Sequence, residues 1–252
     1  MKRHLILMAA FVCLLGISDM NAQGPRNPRR PHHAFNNESG IALSVGYLHS
    51  GYKSRNWTNE DKVKDKGLNG LYVGVTKDFS LVRRTLYLQT GLTYTYQNST
   101  NRHTEGGLKL VNDRNEHFLD IPLRLKFRMN VSPNLKAFIA AGPTLDMGLS
   151  ATMQYRSVAD GEGNIGKVKY NYYTGKTKVD SPISGVESDS PASAFRRFDV
   201  LMGGLIGVEL YDIAEVKLGF DWGLINKNKN KTVADYLTTK RNLFHLGIGI
   251  RF

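Results

Sequence analysis

The sequence predicts an all-β fold, an antiparallel up-and-down transmembrane β-barrel of about eight strands, and three observations carry the prediction. About eight segments alternate apolar residues with polar or small ones, the connections between them alternate long and short, and the last segment closes on an aromatic residue, Phe252. Alternation at period two is what a strand with two unlike faces requires. Long loops at one end and short turns at the other are the pattern of barrels that cross an outer membrane.

In chain order, Lys2, Arg3 and His4 precede a mostly apolar run over residues 5–17 and a short polar stretch ending in Ala22 and Gln23. A charged, an apolar and a polar region in that order spell an export signal, residues 1–22. The apolar run falls short of the roughly 20 residues a spanning helix needs. Lipid attachment would require a small residue directly before a cysteine, whereas Cys13 follows Phe11 and Val12. Residues 23–39 set Arg26, Arg29, Arg30, His32 and His33 among Pro25, Pro28 and Pro31, the composition of an extended, disordered periplasmic lead. The barrel domain occupies residues 40–252.

Every second residue gives the outward face of each strand: Ile41, Leu43, Val45 and Tyr47, then Leu71, Val73 and Val75, then Leu86, Leu88, Leu92, Tyr94 and Tyr96. The fourth strand is the clearest, with Leu119, Ile121, Leu123, Leu125 and Phe127 against Asp120, Pro122, Arg124, Lys126 and Arg128. A helix would scatter those charges round its surface. The fifth runs from Leu135 through Ile139 and Leu145 to Leu149, and the sixth from Phe198 through Ile206 and Val208 to Leu210. Val216, Leu218, Phe220, Trp222 and Leu224 mark the seventh, and Phe244, Leu246, Ile248, Ile250 and Phe252 the eighth. The long connections are residues 50–67, 98–115, 150–194 and 226–241, and the short ones lie near 80–83, 130–133 and 211–214. With both termini periplasmic, every long connection faces outside. The third, which holds Tyr155, Tyr170, Tyr172 and Tyr173, reads as a hairpin rising above the membrane.

Alternation alone also fits a soluble, lipocalin-like barrel with an apolar lumen. The second face decides between them, because it mixes Gly46, Gly74, Gly91, Gly142, Gly203, Gly207, Gly219, Gly247 and Gly249 with charged residues. Glycine weakens a strand and offers nothing to pack, so a solvent-facing surface gains little from it. A narrow lumen crowded by long side chains does gain. The inferred interior sets Asp120, Asp146, Asp199, Glu209, Glu215 and Asp221 against Arg124, Lys126, Arg128, Lys136, Lys217 and Arg251. Buried charges must pair, and eight strands enclose a space just wide enough for side chains. The expectation is a salt-bridge network that plugs the barrel. Phe79, Tyr96, Phe127, Trp222 and Phe252 suit the aromatic girdles at the two interfaces.

The only cysteine lies in the signal, which excludes a disulfide scaffold, a thiol nucleophile and a cysteine metal site from the mature chain. A mean hydropathy of −0.34 argues against a bundle of spanning helices. The formal charge of +12 becomes +11 once Lys2, Arg3 and Asp19 leave with the signal. An exported basic protein meets lipopolysaccharide phosphates and acidic glycans, and nucleic acid is not an expected partner.

The segments LDIPLRLKF (residues 119–127), AAGPTLDMG (140–148), DVLMGGLIGVEL, KLGFDWGLIN and the ending LGIGIRF resemble those of the small outer-membrane β-barrel proteins of the Bacteroidetes, the PorT-like or "porin family" proteins. The resemblance covers nearly all of the mature chain. It implies the barrel type and outer-membrane location, and insertion by the barrel assembly machinery with Phe252 as the C-terminal assembly signal. It implies no activity, since the family is functionally diverse; its PorT member is associated with type IX secretion.

No catalytic, metal or cofactor pattern is carried by the remaining motifs. Gly161, Gly163 and Gly166 spell G-x-G-x-x-G outside any strand-turn-helix unit, which reads as a loop tip. Asp160, Glu162 and Asn164 begin like a calcium loop, but Asn171 stands where the bidentate Glu belongs. His103 and His117 flank the second outer loop as a candidate metal pair without a third ligand. His245 points inward and reads as a lumen hydrogen-bonding group. In the fourth outer loop Lys227, Lys229, Lys231, Lys240 and Arg241 are candidate lipopolysaccharide contacts, since closely spaced lysines act as point charges toward phosphate. The functional expectation is a non-enzymatic barrel whose outward loops bind a protein or glycan, or which serves the envelope or secretion. A barrel enzyme acting on lipid A or peptide, or a small channel, is the alternative.

Overall fold

The computed structural model describes residues 40–252 apart from 57–61, 65–66, 83–84, 106–107, 160–161, 182–194 and 230–236. The signal and the proline-rich lead lie outside the described residues, as does Lys231. Eight long strands make the wall: β1 (Ile41–Asn56), β3 (Leu68–Val82), β4 (Leu86–Glu105), β5 (Leu108–Ser132), β6 (Leu135–Ala159), β9 (Phe198–Leu210), β10 (Ala214–Gly223) and β11 (Leu237–Arg251). Each pairs antiparallel with its neighbours in chain order, and β1 pairs with β11, so the ring closes without an edge. Three short strands are added at the end opposite the termini: β2 (Lys62–Lys64) on β1, and β7 (Glu162–Asn171) and β8 (Thr177–Ser181) beyond β6.

The two faces fall as the alternation predicts. Leu43, Val45, Leu71, Leu125, Ile139, Ile206, Leu218, Leu246 and Ile248 are exposed on the outside, while Asp120, Arg124, Lys126, Asp221 and Arg251 are buried inside. Only lipid makes such an outer surface favourable. On β4 the span from Tyr96 to Leu86, at a rise of ~3.4 Å and a tilt of ~40°, is roughly 25 Å high, the height of the apolar band. Its upper margin is polar and aromatic: Tyr47 donates to Asn69, Tyr94 contacts His117 and Tyr96 donates to Asn115.

Inward glycines make room for the large interior side chains. A Cβ on Gly247 would sit 1.8 Å from the Tyr72 hydroxyl, and one on Gly219 2.2 Å from the His245 ring. The β9–β10 turn is tight, with Ile213 N–H donating to the Leu210 carbonyl at 3.0 Å and positive φ at Tyr211 (53°) and Asp212 (59°). That is the type I′ form, whose twist matches the strands it joins.

The long connections are shorter than expected because the strands outrun the membrane. The expected loop over residues 98–115 is a continuous β4–β5 ladder up to Glu105↔Leu108. The expected connection over 150–194 begins as further β6 strand and returns as β7 and β8. The upper parts of β4, β5 and β6, with β7 and β8, form a five-stranded sheet outside the bilayer. A register shift at His117/Phe118 marks where β6 leaves the membrane and re-aims its side chains there.

Candidate functional site

From the periplasmic end upward, the lumen is filled by three charged layers. In the lowest, Lys126 and Arg128 of β5 and Arg251 of β11 surround Asp78 of β3 and Glu209 of β9. Asp78 lies 2.6 Å from Arg251, 3.0 Å from Arg128 and 3.1 Å from Lys126. Glu209 lies 2.7 Å from Lys126, 3.0 Å from Arg128 and 3.3 Å from Arg251. The third positive charge is spread over rings, with Lys126 4.1 Å above Phe138 and Arg128 4.3 Å above Tyr87. Beside them Lys217 pairs with Glu215 at 2.9 Å.

In the middle layer Arg124 meets Asp221 at 2.8 Å, and His245 Nε2 contacts the same carboxylate at 3.1 Å. The His245 ring stands edge-on to Tyr72. A cavity of about 60 Å³ lies here, lined among others by Tyr72, Thr76, Asp120 and Arg124. Each of those four turns a buried polar atom toward no hydrogen-bonding protein partner. A polar cavity of this size accommodates a few water molecules, and it is far too small for solute diffusion.

The upper layer corrects the reading of the fourth outer loop. Arg241 is fully buried and donates to Asp146 at 2.8 Å, with its guanidinium 3.7 Å above the Phe118 ring. Lys227 is 2 % exposed and bridges Asp146 (3.3 Å) and Asp199 (3.4 Å). Neither can reach a lipid phosphate. Arg241 falls on the inward parity of β11 because that strand begins at Leu237, and the loop carrying Lys227 folds back over the mouth, where Lys227 N–H donates to the Thr239 carbonyl. Lys229 and Lys240 are exposed, as expected. Asp120, Asp146 and Asp199 face one another across β5, β6 and β9; Arg241 and Lys227 pair with Asp146 and Lys227 with Asp199, while Asp120 accepts from the Thr95 hydroxyl at 2.8 Å.

The predicted network is therefore brought together, with one member at its margin. Lys136 shares the inward register with Glu209 but sits half-exposed at the periplasmic rim, where it pairs with Asp212 of the β9–β10 turn. Sequence reasoning missed Asp78, Arg114, Glu116 and Gln97. Their signal was present in the period-two pattern, which simply continues past the ends assigned to the strands.

Above the charge layers, Arg114 caps the mouth. It binds Glu116 at 2.7 Å and lies over Tyr52 (4.3 Å), Tyr172 (5.6 Å) and Phe195 (5.7 Å). Tyr172 and Phe195 stack at 4.8 Å. This aromatic floor continues up the lumen-side face of the extracellular sheet, where Tyr155 and Tyr170 meet edge-on at 5.9 Å. The opposite face is continuous with the lipid-facing wall. It carries Arg102, Lys109, Arg156, Lys167, Lys169 and Lys178 against Asp113 and Asp180. Hydrogen bonds from Lys178 and Lys167 hold the Asp180 carboxyl below its ordinary range.

The two histidines read as a candidate metal pair stand far apart. His103 pairs opposite Leu110 and His117 opposite Tyr96, seven steps apart on one ladder and so roughly 24 Å at ~3.4 Å per residue. Among the described residues no group of His, Cys, Asp or Glu is arranged to hold a metal. Gly163 and Gly166 lie within β7, which runs as a ladder from Glu162 to Asn171, while Asp160 and Gly161 lie outside the described residues.

Residues 21–228 match the family described as outer membrane protein beta-barrel domain. No curated protein matches the chain. Among solved structures, the chain is similar to Ail, the attachment invasion locus protein of Yersinia pestis, at 12 % identity and a TM-score of 0.38, over 85 % of this chain and 99 % of that one. It is similar to the outer membrane protein OprG from Pseudomonas aeruginosa at 10 % identity and a TM-score of 0.37, over 85 % and 96 %. The outer membrane protease OmpT from Escherichia coli is similar at 10 % identity and a TM-score of 0.38, over 88 % and 99 %.

Proposed function

The chain belongs to the outer membrane protein beta-barrel domain family, and from that premise we propose that it is an exported, non-enzymatic barrel that holds a binding sheet at the cell surface. The observation that carries this reading is the contrast between a lumen closed by buried ion pairs and a wall that continues outside as an ordered sheet. A closed lumen leaves no path for solute. The aromatic, lumen-side face of the sheet, with Tyr155, Tyr170 and Tyr172, has the composition of an interaction surface for a protein or glycan. Within the family we read the chain as one of the PorT-like barrels of the Bacteroidetes, on the LDIPLRLKF and AAGPTLDMG segments, with residues 1–22 as its export signal. The His245–Asp221 pair we read as structural, because it is locked between Arg124 and Tyr72 in mid-barrel.

A photo-crosslinking phenylalanine analogue placed at Tyr155 or Tyr170 on intact cells tests the proposal. One reproducible adduct, lost when Tyr172 is changed to Ser with barrel assembly intact, is the expected result. No adduct from either position, or ion conductance by the reconstituted barrel, would overturn it.

A further inference from the structure

The barrel's outer wall changes character abruptly at its upper girdle. Below Tyr47, Tyr94, Tyr96 and His117 it is apolar, and above them it becomes the outer face of the extracellular sheet. On that face cross-strand neighbours put cation beside cation: Lys169 stands opposite Lys178, and Arg156 opposite Lys167. Arg102 lies in the same row as Arg156 through Val111. Like charges directly opposite one another destabilise a sheet, so this arrangement is unfavourable unless a counter-charge is present.

Part of that charge is met within the sheet. Asp113 pairs with Arg156, and Asp180 is shared at 3.4 Å by Lys167 and Lys178. Arg102 and Lys169 are exposed and make no ion pair among the described residues. The excess is positive, it faces away from the lumen, and it begins where the lipid band ends. Asp113, opposite Thr100 and Gln154, stands four residues above His117 on β5, roughly 10 Å above the girdle at ~3.4 Å per residue and ~40° tilt.

We infer that this outer face of the extracellular sheet is a binding site for the phosphate groups of outer-leaflet lipopolysaccharide. The occupant follows from place and charge together. A surface continuous with the lipid-facing wall is bordered by lipid headgroups, and the anionic groups at that height are phosphates and sugar acids of the lipid itself. Lysines serve as point charges to phosphate without demanding one geometry, and Arg102 and Arg156 add the planar fork that a phosphate accepts bidentately. The site differs from the fourth-loop residues the sequence suggested, of which Lys227 and Arg241 are buried. It also lies on the face opposite the aromatic surface, so it stands or falls independently of the proposed partner.

The test uses the full mature barrel refolded in neutral detergent and titrated with purified lipopolysaccharide, intact or enzymatically dephosphorylated. Retained lipid is counted by native mass spectrometry. The variant Arg102→Gln/Lys169→Gln/Lys178→Gln removes three exposed charges, and Lys229→Gln/Lys240→Gln removes two from the other loop. Near an anionic surface each such charge is worth about a factor of 5 at moderate salt. The triple variant should bind intact lipopolysaccharide on the order of 100-fold more weakly, with its urea midpoint unchanged, and the double variant should lose under 5-fold. Dephosphorylated lipid should bind the unaltered barrel as weakly as intact lipid binds the triple variant. Equal binding by the triple variant, equal loss in the double variant, or full binding of dephosphorylated lipid would each overturn the inference. So would displacement of intact lipopolysaccharide by inorganic phosphate at equal phosphate concentration, which would assign the face to free anions.

Discussion

Replacing Asp78 with Ala isolates what the lowest charge layer contributes. The carboxylate accepts from Arg251, Arg128, Lys126 and Gln89 at 2.6–3.1 Å, and it is buried with all of them. Its loss leaves three buried cations ion-paired only to Glu209 among the described residues. Breaking a buried pair by removing one partner costs about 3–5 kcal/mol, because the orphaned charge keeps its desolvation penalty. Three partners push the value upward, while the rings of Phe138 and Tyr87 return ~0.5–2 kcal/mol for each cation they cover. About 4 kcal/mol is the expected net, which at a denaturant slope of ~2 kcal/mol/M moves the urea midpoint down by about 2 M. The assay is urea unfolding in lipid vesicles, followed by Trp fluorescence and by the heat-dependent gel mobility of folded barrels. A second variant, Asp78→Ala/Arg251→Met, removes charge of both signs and should recover about half the loss. A single variant within ~0.3 M of the unaltered midpoint, given that slope, or a double variant no better than the single, would refute the argument that charge balance governs this layer.

Three further perturbations separate the remaining claims. Leu123→Arg lies near mid-height of the lipid band and should cost about 2–4 kcal/mol, whereas Val208→Arg sits beside the periplasmic turn and should cost about 0–1; equal midpoints for the two in vesicle unfolding would misplace the bilayer. Gly247→Ala forces the Tyr72 hydroxyl aside from 1.8 Å and should cost about 1–3 kcal/mol. Adding Tyr72→Phe should restore most of it, since that hydroxyl has no protein hydrogen bond to lose; no recovery in the same unfolding assay would mean that the strand, not the ring, yields. Deleting Phe252, whose N–H and carbonyl pair with Ile41 at the barrel seam, should lower the heat-modifiable folded fraction in cells, and a normal fraction would remove the terminal aromatic from the assembly argument.

Period two made the membrane part legible. One slip of register would turn every side chain to the other face, so Leu119 to Phe127 on one side and Asp120 to Arg128 on the other left a single arrangement. What stayed hidden was where each strand stops. Above the girdle neither face meets lipid, so the outer side carries Asp113, Asn115 and Arg156 in place of Leu, and the apolar half of the signal disappears while the strand continues. Glu116 and Arg241 were lost to the interior list for that reason. Lys227 could not be recovered by parity at all, because it precedes β11 in a loop whose path depends on Asp146 and Asp199, far away in sequence.

The ladder between β5 and β6 runs from Leu108↔Ala159 outside the cell to Ser132↔Leu135 at the periplasmic turn, so one pair of strands serves both sheet and barrel, with a one-residue shift at His117/Phe118 where the two meet. Tension applied along the protruding strands is thus shared by many cross-strand bonds at once, in shear, instead of peeling them one after another. A tether built this way would yield by leaving the bilayer whole, and pulling on residue 109 in a single-molecule experiment should show one high-force rupture with no earlier step from the extracellular sheet.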